Sequence, residues 1–198
     1  SSVEITEDEI KNFEQIYIVA CGSAWHVGMA AQYVLGLSQG DPVLVASENS
    51  VPQWLGWLSG DTLLAIYENR AVLYNAAGGE KASYDFGGGT LASVSSVSSG
   101  VALLLRNGQT CTAVLTDKNL GVQYSGSVLA ANSIVRTADA FYLLTDSTVE
   151  CFNTSGEFQW NQAFSARPQA LIPGKKLIVL TGNTAQVLTP PETASSAS

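Results

Sequence analysis

The stretch Val101–Asp117, VALLLRNGQTCTAVLTD, consists of two apolar runs on either side of a short polar turn. Each run has the length and composition of a β-strand. Between them lies Asn107-Gly108, a dipeptide that favours a type I′ turn because both central residues of that turn need a positive φ. The stretch therefore predicts an antiparallel β-hairpin.

The hairpin recurs along the chain. AVLYNAAGG from Ala71 and AVLTDKNLG from Ala113 align without a gap, and VECFNTSGE from Val149 and AQVLTPPE from Ala185 follow the same pattern. The repeat length is about 36 to 42 residues. A candidate strand precedes each hairpin, and a loop with glycine and a strand with an aromatic residue follow the first three. The hairpin turns are predicted at Glu68-Asn69, Asn107-Gly108, Asp146-Ser147 and Gly182-Asn183.

Four short antiparallel strands per repeat are typical of a β-propeller blade, which buries both faces only by stacking on its neighbours. The predicted fold is mainly β, a four-repeat β-propeller-like array preceded by a short α/β segment. Residues 52–190 loosely resemble the PQQ-like and WD-like propeller repeats of bacterial proteins of unknown function, and NTSGEFQW (Asn153–Trp160) is similar to the docking turn of PQQ-type repeats. The predicted domains are residues 1–48, residues 49–190 and a flexible tail at 191–198.

The fourth repeat is predicted to lack its last strand, because TPPETASSAS after Leu188 is rich in Pro, Ser and Thr. Two arrangements of this end follow. An N-terminal strand, either Ile16–Ala20 or Val43–Ala46, completes the last blade, or the open ends of a larger propeller fragment pair with other chains.

The N-terminal residues follow a different pattern. The segment Ile5–Val34, ITEDEIKNFEQIYIVACGSAWHVGMAAQYV, predicts a short helix, a buried strand over Ile16–Ala20, a turn of small residues and a second helix. A Gly- and Ser-containing turn before a helix can bind phosphate through backbone N–H groups and the helix dipole. The candidate phosphate-binding residues are Cys21, Gly22 and Ser23. The alternative is a buried strand packed on an amphipathic helix, without a ligand.

These thirty or so residues resemble the start of the sugar isomerase (SIS) domain of the glucosamine-6-phosphate synthase family, the glutamine:fructose-6-phosphate amidotransferases. The resemblance implies that Cys21, Gly22 and Ser23 contact a sugar phosphate, although Ser23 replaces the usual Thr and Ala24 replaces a frequent Ser. The second phosphate loop of the family has its nearest candidate in Ser59–Thr62, which lacks the leading Ser-Gln and precedes a strand instead of following one. The glutaminase domain and the isomerase catalytic residues have no counterpart, which excludes an intact enzyme of that family.

Composition argues against several classes of function. The chain has 198 residues, 46% of them hydrophobic and 13% charged, which suits a globular core. A net charge of -8 opposes binding to nucleic acid and to anionic membrane surfaces. No apolar run reaches the roughly 18 residues that a membrane span needs. Three cysteines without CxxC spacing and a single histidine, His26, argue against a metal site, and we expect no cofactor.

The repeats contain no histidine and therefore no Ser/His/Asp or Cys/His set, which favours a non-enzymatic module, although acid–base catalysis by paired carboxylates stays open. We expect Trp54, Trp57 and Trp160 to pack between blades rather than line a ligand surface. The turn aspartates expected to accept backbone hydrogen bonds are Asp61, Asp85, Asp117, Asp139 and Asp146.

The sequence therefore supports two functions. The first is a β-propeller-like binding or scaffold module whose loops hold a protein or a glycan. The second is an SIS fragment that binds a sugar phosphate. The SIS resemblance implies a cytoplasmic protein, whereas a propeller within an anchored surface protein implies an extracytoplasmic one.

Overall fold

The computed structural model describes residues 51–189, which form four antiparallel sheets and contain no helix. The first sheet consists of β1 (Trp54–Ser59), β2 (Thr62–Ile66), β3 (Arg70–Asn75) and β4 (Glu80–Asp85). The second consists of β5 (Thr90–Val97), β6 (Gly100–Asn107), β7 (Thr110–Asp117) and β8 (Val122–Val128). The third consists of β9 (Ser133–Arg136), β10 (Ala140–Leu144), β11 (Thr148–Asn153) and β12 (Phe158–Ala163). The fourth consists of β13 (Pro168–Ile172), β14 (Leu177–Thr181) and β15 (Thr184–Leu188).

Within every sheet, strands that follow each other in sequence are neighbours. The four predicted repeats of a β-propeller-like array are thereby confirmed. The hairpin of the second sheet pairs Asn107 with Thr110, so Gly108 and Gln109 are the central residues of its turn. Of these two, Gly108 alone has a positive φ, 60°. This is the arrangement of a type II′ turn. The predicted type I′ turn centred on Asn107-Gly108 is therefore wrong in its type, and the turn lies one residue further along the chain.

The same loop connects the third strand to the fourth in each complete sheet. It is closed by Asn75, Asp117 or Asn153, whose Oδ1 accepts hydrogen bonds from the backbone N–H groups two and four residues later, at 2.8 to 3.1 Å. Side chains of this type stabilise turns by imitating a backbone acceptor. The third residue after the closing one has a left-handed backbone: these residues are Gly78 (φ 85°), Leu120 (φ 62°) and Gly156 (φ 82°).

Three hydrophobic clusters lie between consecutive sheets. Strand β6 serves two of them, because successive side chains of a strand point to opposite faces. Leu103 and Leu105 pack with the first sheet, whereas Ala102 and Leu104 pack with the third. A strand buried on both faces needs a continuous apolar run, as VALLL provides. The sheets therefore stack as blades, and none of these three clusters joins the first sheet to the fourth.

Aromatic residues of the outer strands complete these clusters. Tyr84, Tyr124 and Trp160 are partly buried and pack against the first, second and third cluster respectively. The ring centroid of Tyr124 lies 5.6 Å from that of Phe141 in the next sheet. Trp54 packs against the first cluster, and Trp57 is 38% exposed. For Trp54 and Trp160, the structure therefore favours packing over a ligand surface.

The first strands of the second and third sheets are joined directly. The hydroxyl groups of Ser93 and Ser95 in β5 accept hydrogen bonds from the backbone N–H groups of Ile134 (3.2 Å) and Arg136 (2.9 Å) in β9. These hydroxyls supply acceptors for N–H groups of an edge strand, since in the part of the chain that the structure describes β9 pairs with β10 alone.

Within residues 51–189, the fourth sheet has three strands, and β15 is at its edge. The first four residues of β15 are exposed, and the exposed fraction of Val187 is 52%. The predicted N-terminal helix, the strands Ile16–Ala20 and Val43–Ala46 and the tail 191–198 lie outside the described residues, so closure of the array by an N-terminal strand stays a prediction. In the described part of the chain, no helix could span a membrane.

Candidate ligand-binding cleft

A cleft of ≈ 370 Å³ lies between the first and second sheets, at the end where β1 turns into β2. The turn Ser59–Thr62 forms one wall, together with Lys81 of β4. The β5–β6 turn and the β7–β8 loop of the second sheet form the other wall. The lining residues are Leu58, Ser59, Asp61, Thr62, Lys81, Ser98, Lys118 and Asn119.

Hydrogen bonds organise the first wall. The carboxylate of Asp61 accepts hydrogen bonds from the hydroxyl groups of Ser59 (3.0 Å) and Thr62 (3.1 Å). These bonds, and then the charge of Lys81, hold the pKa of Asp61 below its ordinary value. The Nζ of Lys81 donates to Oγ1 of Thr62 at 2.9 Å, so this lysine reaches from the fourth strand across to the second.

The repeat loop positions the second wall. Asp117 accepts hydrogen bonds from the backbone N–H groups of Asn119 and Gly121, both at 2.8 Å. These bonds hold Lys118 and Asn119 at the tip of the loop, where both are exposed and line the cleft. The two lysines outnumber the one carboxylate, so the cleft has a positive charge within a chain whose net charge is -8.

The lining groups are hydrogen-bond donors and acceptors of the kind that bind a carboxylate. Two ammonium groups and the hydroxyl of Ser98 can donate to an anionic group of a ligand, whereas the hydroxyls of Ser59 and Thr62 already donate to Asp61. The cleft contains no histidine and no cysteine. In residues 51–189, no three His, Cys, Asp or Glu side chains come together to hold a metal ion. The arrangement is suited to binding.

Some of the predicted site residues lie within the described part of the chain and others lie outside it. Cys21, Gly22 and Ser23 lie outside the described residues, so phosphate binding there stays a prediction. The turn Ser59–Thr62 precedes β2, as the sequence indicated. Cys111 and Cys151 are buried and free.

The predicted role of the turn aspartates is correct for two of them. Asp85 and Asp117 accept hydrogen bonds from backbone N–H groups. The carboxylates of Asp61 and Asp146 instead accept from the side chains of Ser59, Thr62 and Asn132.

Sequence reasoning missed Lys81 and Lys118 as a pair. They are 37 residues apart, about one repeat length, and lie in different sheets. A charged residue beside the shared loop of consecutive repeats was the signal that could have found them, since propeller repeats place equivalent loops at one end of the blades.

Several solved structures have folds similar to that of this chain, and one of them is a WD40 domain. The WD40 domain of Pan2 from Neurospora crassa aligns with 72% of this chain and 48% of its own, with a TM-score of 0.54 and 11% identity. BBS1N in complex with ARL6DN aligns with 71% of this chain and 52% of its own, at a TM-score of 0.53 and 17% identity. BamB from Moraxella catarrhalis aligns with 67% of this chain and 40% of its own, at a TM-score of 0.50 and 11% identity. The chain thus spans about half the length of these structures and shares their fold.

Sequence comparison adds a local match. No protein-family model matches this chain. Glutamine–fructose-6-phosphate aminotransferase [isomerizing] from Clostridium acetobutylicum is 48% identical over 33 residues, which are 17% of this chain and 5% of that enzyme. The chain therefore spans a small fraction of the length of that relative. The fold and the repeats of the present chain define a β-propeller-like repeat protein.

Proposed function

We propose that this protein is a non-enzymatic binding or scaffold module that holds a protein partner in the cleft between its first and second sheets. The observation that carries the proposal is the placement of Lys81 and Lys118 on opposite walls of that cleft. Two ammonium groups facing one space favour an anionic occupant, and the chain's overall negative charge makes a local positive site selective. The expected ligand group is a carboxylate, from an acidic side chain or a C-terminus.

The fold supports a protein partner. Loops at the end of stacked sheets are the parts of such scaffolds that vary and bind, because the sheets hold them rigidly. One similar structure, BBS1N, is in complex with ARL6DN. The cleft is built from three such loops and turns, and its polar lining suits a protein surface better than an apolar cofactor.

Selection of peptides tests the proposal. Random peptides displayed on phage are selected on the immobilised full chain, and the selected peptides are measured against the double variant Lys81→Ala/Lys118→Ala. We expect carboxylate-containing peptides whose affinity falls at least about tenfold, because a hydrogen bond to a charged group contributes about 1.5–3 kcal/mol. Arg106→Ala is the matched control, since Arg106 is exposed at the opposite end of the second sheet.

Two results would reject this function. One is a set of selected peptides that binds the double variant as well as the original chain. The other is an equal loss in Arg106→Ala, which would show that the overall charge and not the cleft determines binding. Affinity at the cleft should also fall with added salt, since exposed charges are screened.

We propose a second candidate function, the binding of a sugar phosphate at Cys21, Gly22 and Ser23, because of the 48% identity over 33 residues to an enzyme that acts on fructose 6-phosphate. Fructose 6-phosphate at about 100 times its dissociation constant should stabilise the chain by about 2.7 kcal/mol. Fructose is the control ligand, because it lacks the phosphate. The proposal fails if the melting temperature with millimolar fructose 6-phosphate equals that with fructose.

A further inference from the structure

The edge of the fourth sheet differs from the corresponding strand in the three complete sheets. Strands β3, β7 and β11 each pair on that side with a fourth strand, whereas among residues 51–189 the strand β15 pairs with β14 alone. The residues of β3 from Ala71 to Tyr74 are buried, but those of β15 from Thr184 to Val187 are exposed. Among the described residues, β15 thus presents a free edge, which is a template for pairing with another extended segment.

The complete sheets show how a fourth strand would pair with β15. Leu73 of β3 is paired with Ala82, and Cys151 of β11 is paired with Trp160. The repeat alignment places Val187 at the position of Leu73 and Cys151. In the second and third sheets, the residue at the fourth-strand position is aromatic: these residues are Tyr124 and Trp160.

An aromatic side chain opposite Val187 would therefore repeat the pairing that two of the blades already use. It would cover a valine that is 52% exposed, beside Ile178, its neighbour on β14. Cross-strand pairs of an aromatic and a β-branched residue are among the favourable pairs in antiparallel sheets.

The charge beside β15 indicates a second feature of a strand that would pair with it. Lys81 of β4 reaches over the third strand to Thr62, the first residue of β2, at 2.9 Å. Ala71 pairs with Ile66 as Ala185 pairs with Leu180, so the residue that corresponds to Thr62 in the fourth sheet is Lys176. Lys176 is exposed. A residue in the place of Lys81 would meet a lysine there, and an acidic residue at that place complements it.

The surroundings of Lys176 strengthen this preference. Residues 164–189 contain three basic residues and no Asp or Glu, although the net charge of the chain is -8. Arg167 is already paired with Asp146 at 3.3 Å. Lys175 and Lys176 lie together in the exposed β13–β14 loop, beside the end of β15.

We propose that β15 binds an extended segment of a partner protein, which joins the fourth sheet as an antiparallel fourth strand of about six residues. An acidic residue of this segment faces Lys176, and the next residue is aromatic and pairs with Val187. In the complete blades, fourth strands start at Glu80, Val122 and Phe158. The residues at the corresponding distance beyond β15, ASSAS at 194–198, contain no aromatic or acidic side chain. This surface is separate from the cleft, which lies between the first and second sheets.

A peptide that copies the protein's own fourth strand is the probe. It has the sequence of residues 156–163, GEFQWNQA, with the substitution Gln159→Glu and a fluorescent label, and its anisotropy is measured against the full chain. Gln159 corresponds in the repeat to Lys81, and Trp160 is the residue expected opposite Val187. The control peptide carries Gln159→Lys. We expect the Glu peptide to bind at least about tenfold more tightly than the Lys peptide, because only the former makes a charge-assisted contact with Lys176.

A charge exchange makes the test specific to the edge. The chain variant Lys176→Glu should reverse the preference and bind the Lys peptide more tightly. Its circular dichroism should match that of the original chain, since Lys176 is exposed. Replacement of Trp160 by Ala in the peptide should weaken binding at least about fivefold, as expected for the loss of an aromatic cross-strand pair.

Three outcomes would overturn the proposal. The first is no binding of the Glu peptide at millimolar concentration of the chain. The second is equal affinity of the Glu and Lys peptides for the original chain. The third is self-association of the chain that the Glu peptide disrupts, because a second copy and not a partner protein would then occupy the edge.

Discussion

The guanidinium group of Arg136 donates a hydrogen bond of 2.6 Å to the backbone carbonyl of Thr116 and so ties the third sheet to the second. The same nitrogen, Nη1, donates to the carbonyl of Val101 at 2.8 Å, and Nη2 donates to Oε1 of Gln123 at 3.1 Å. The exposed fraction of Arg136 is 2%. Burial lowers its pKa and the charge of Asp117 opposes this effect, so the group stays charged and its donors remain available.

Arg136→Ala should lower the free energy of unfolding by about 3 kcal/mol, because it leaves two buried carbonyl groups with fewer donors and opens a cavity. Urea denaturation of the full chain measures this difference. Arg106→Ala, which removes an exposed arginine, should change the free energy by less than about 0.5 kcal/mol. A loss below about 1 kcal/mol in Arg136→Ala would show that the two sheets hold together without this residue.

Gly156 has a left-handed backbone, φ 82°, and its Cα faces the ring of Tyr124, where an added Cβ would collide with the ring carbons. Gly108 has a similar φ of 60° but open space around it. Gly108→Ala should therefore cost about 1 kcal/mol of stability from the backbone alone, and Gly156→Ala about 3 kcal/mol, since the Tyr124 ring must also move. Equal melting temperatures for the two variants would contradict the packing of Tyr124 on the loop.

Leu120 occupies the left-handed position of the shared loop, with φ 62°, where the other two sheets have glycine. Its side chain is 4% exposed and belongs to the cluster between the first and second sheets. Burial of the side chain, about 3 kcal/mol, offsets a backbone cost of about 1 kcal/mol.

Two variants of Leu120 separate the contribution of side-chain burial from the cost of the left-handed backbone. Leu120→Gly loses the burial but relieves the strain, and should destabilise the chain by about 2 kcal/mol. Leu120→Ala loses most of the burial and keeps the strain, so it should be less stable than Leu120→Gly by about 1 kcal/mol. Thermal denaturation orders the three chains. An alanine variant more stable than the glycine variant would contradict the left-handed backbone.

The repeats could be predicted because their signals are local. The alternation of apolar strands with turns at Glu68-Asn69, Asp146-Ser147 and Gly182-Asn183 needs only neighbouring residues, and each of these turns lies where the sequence indicated. The loop after the third strand was predicted from its glycines, at Gly78-Gly79, Gly121 and Gly156, but a side chain that closes it was predicted only for Asp117. The type of the turn at Gly108 could not be predicted, because it depends on which residues pair across the hairpin.

The cleft and the buried arginine could not be predicted because they depend on how blades stack. Nothing near Arg136 in the sequence distinguishes it from an exposed residue of a strand, and its acceptor Thr116 is in another sheet. Lys81 and Lys118 meet in one cleft for the same reason. A repeat pattern indicates which residues are equivalent, but the angle between blades decides which of them face each other.

Tyr142 of β10 makes the stability of the protein sensitive to alkaline pH. It is 7% exposed, its ring centroid lies 6.0 Å from that of Trp160, and burial, with the neighbouring Cys151, raises its pKa to about 12. Because the folded protein retains this proton longer than the unfolded chain, the stabilisation is complete below pH 10 and is lost as the pH rises toward 12.

The total loss is about 2.7 kcal/mol, since each pKa unit corresponds to about 1.4 kcal/mol, and about half of it is reached by pH 11. Urea denaturation at pH 8, 10 and 11 with reduced thiols measures it, and Tyr142→Phe should make the decline shallower because phenylalanine has no proton to lose. Tyr84→Phe is the matched control: burial raises the pKa of Tyr84 too, but this residue is only partly buried, and its removal should change the slope less. If Tyr142→Phe declined as steeply as the original chain, the alkaline transition would have to come from other groups, with the Cys151 thiol, whose pKa burial also raises, the next to replace.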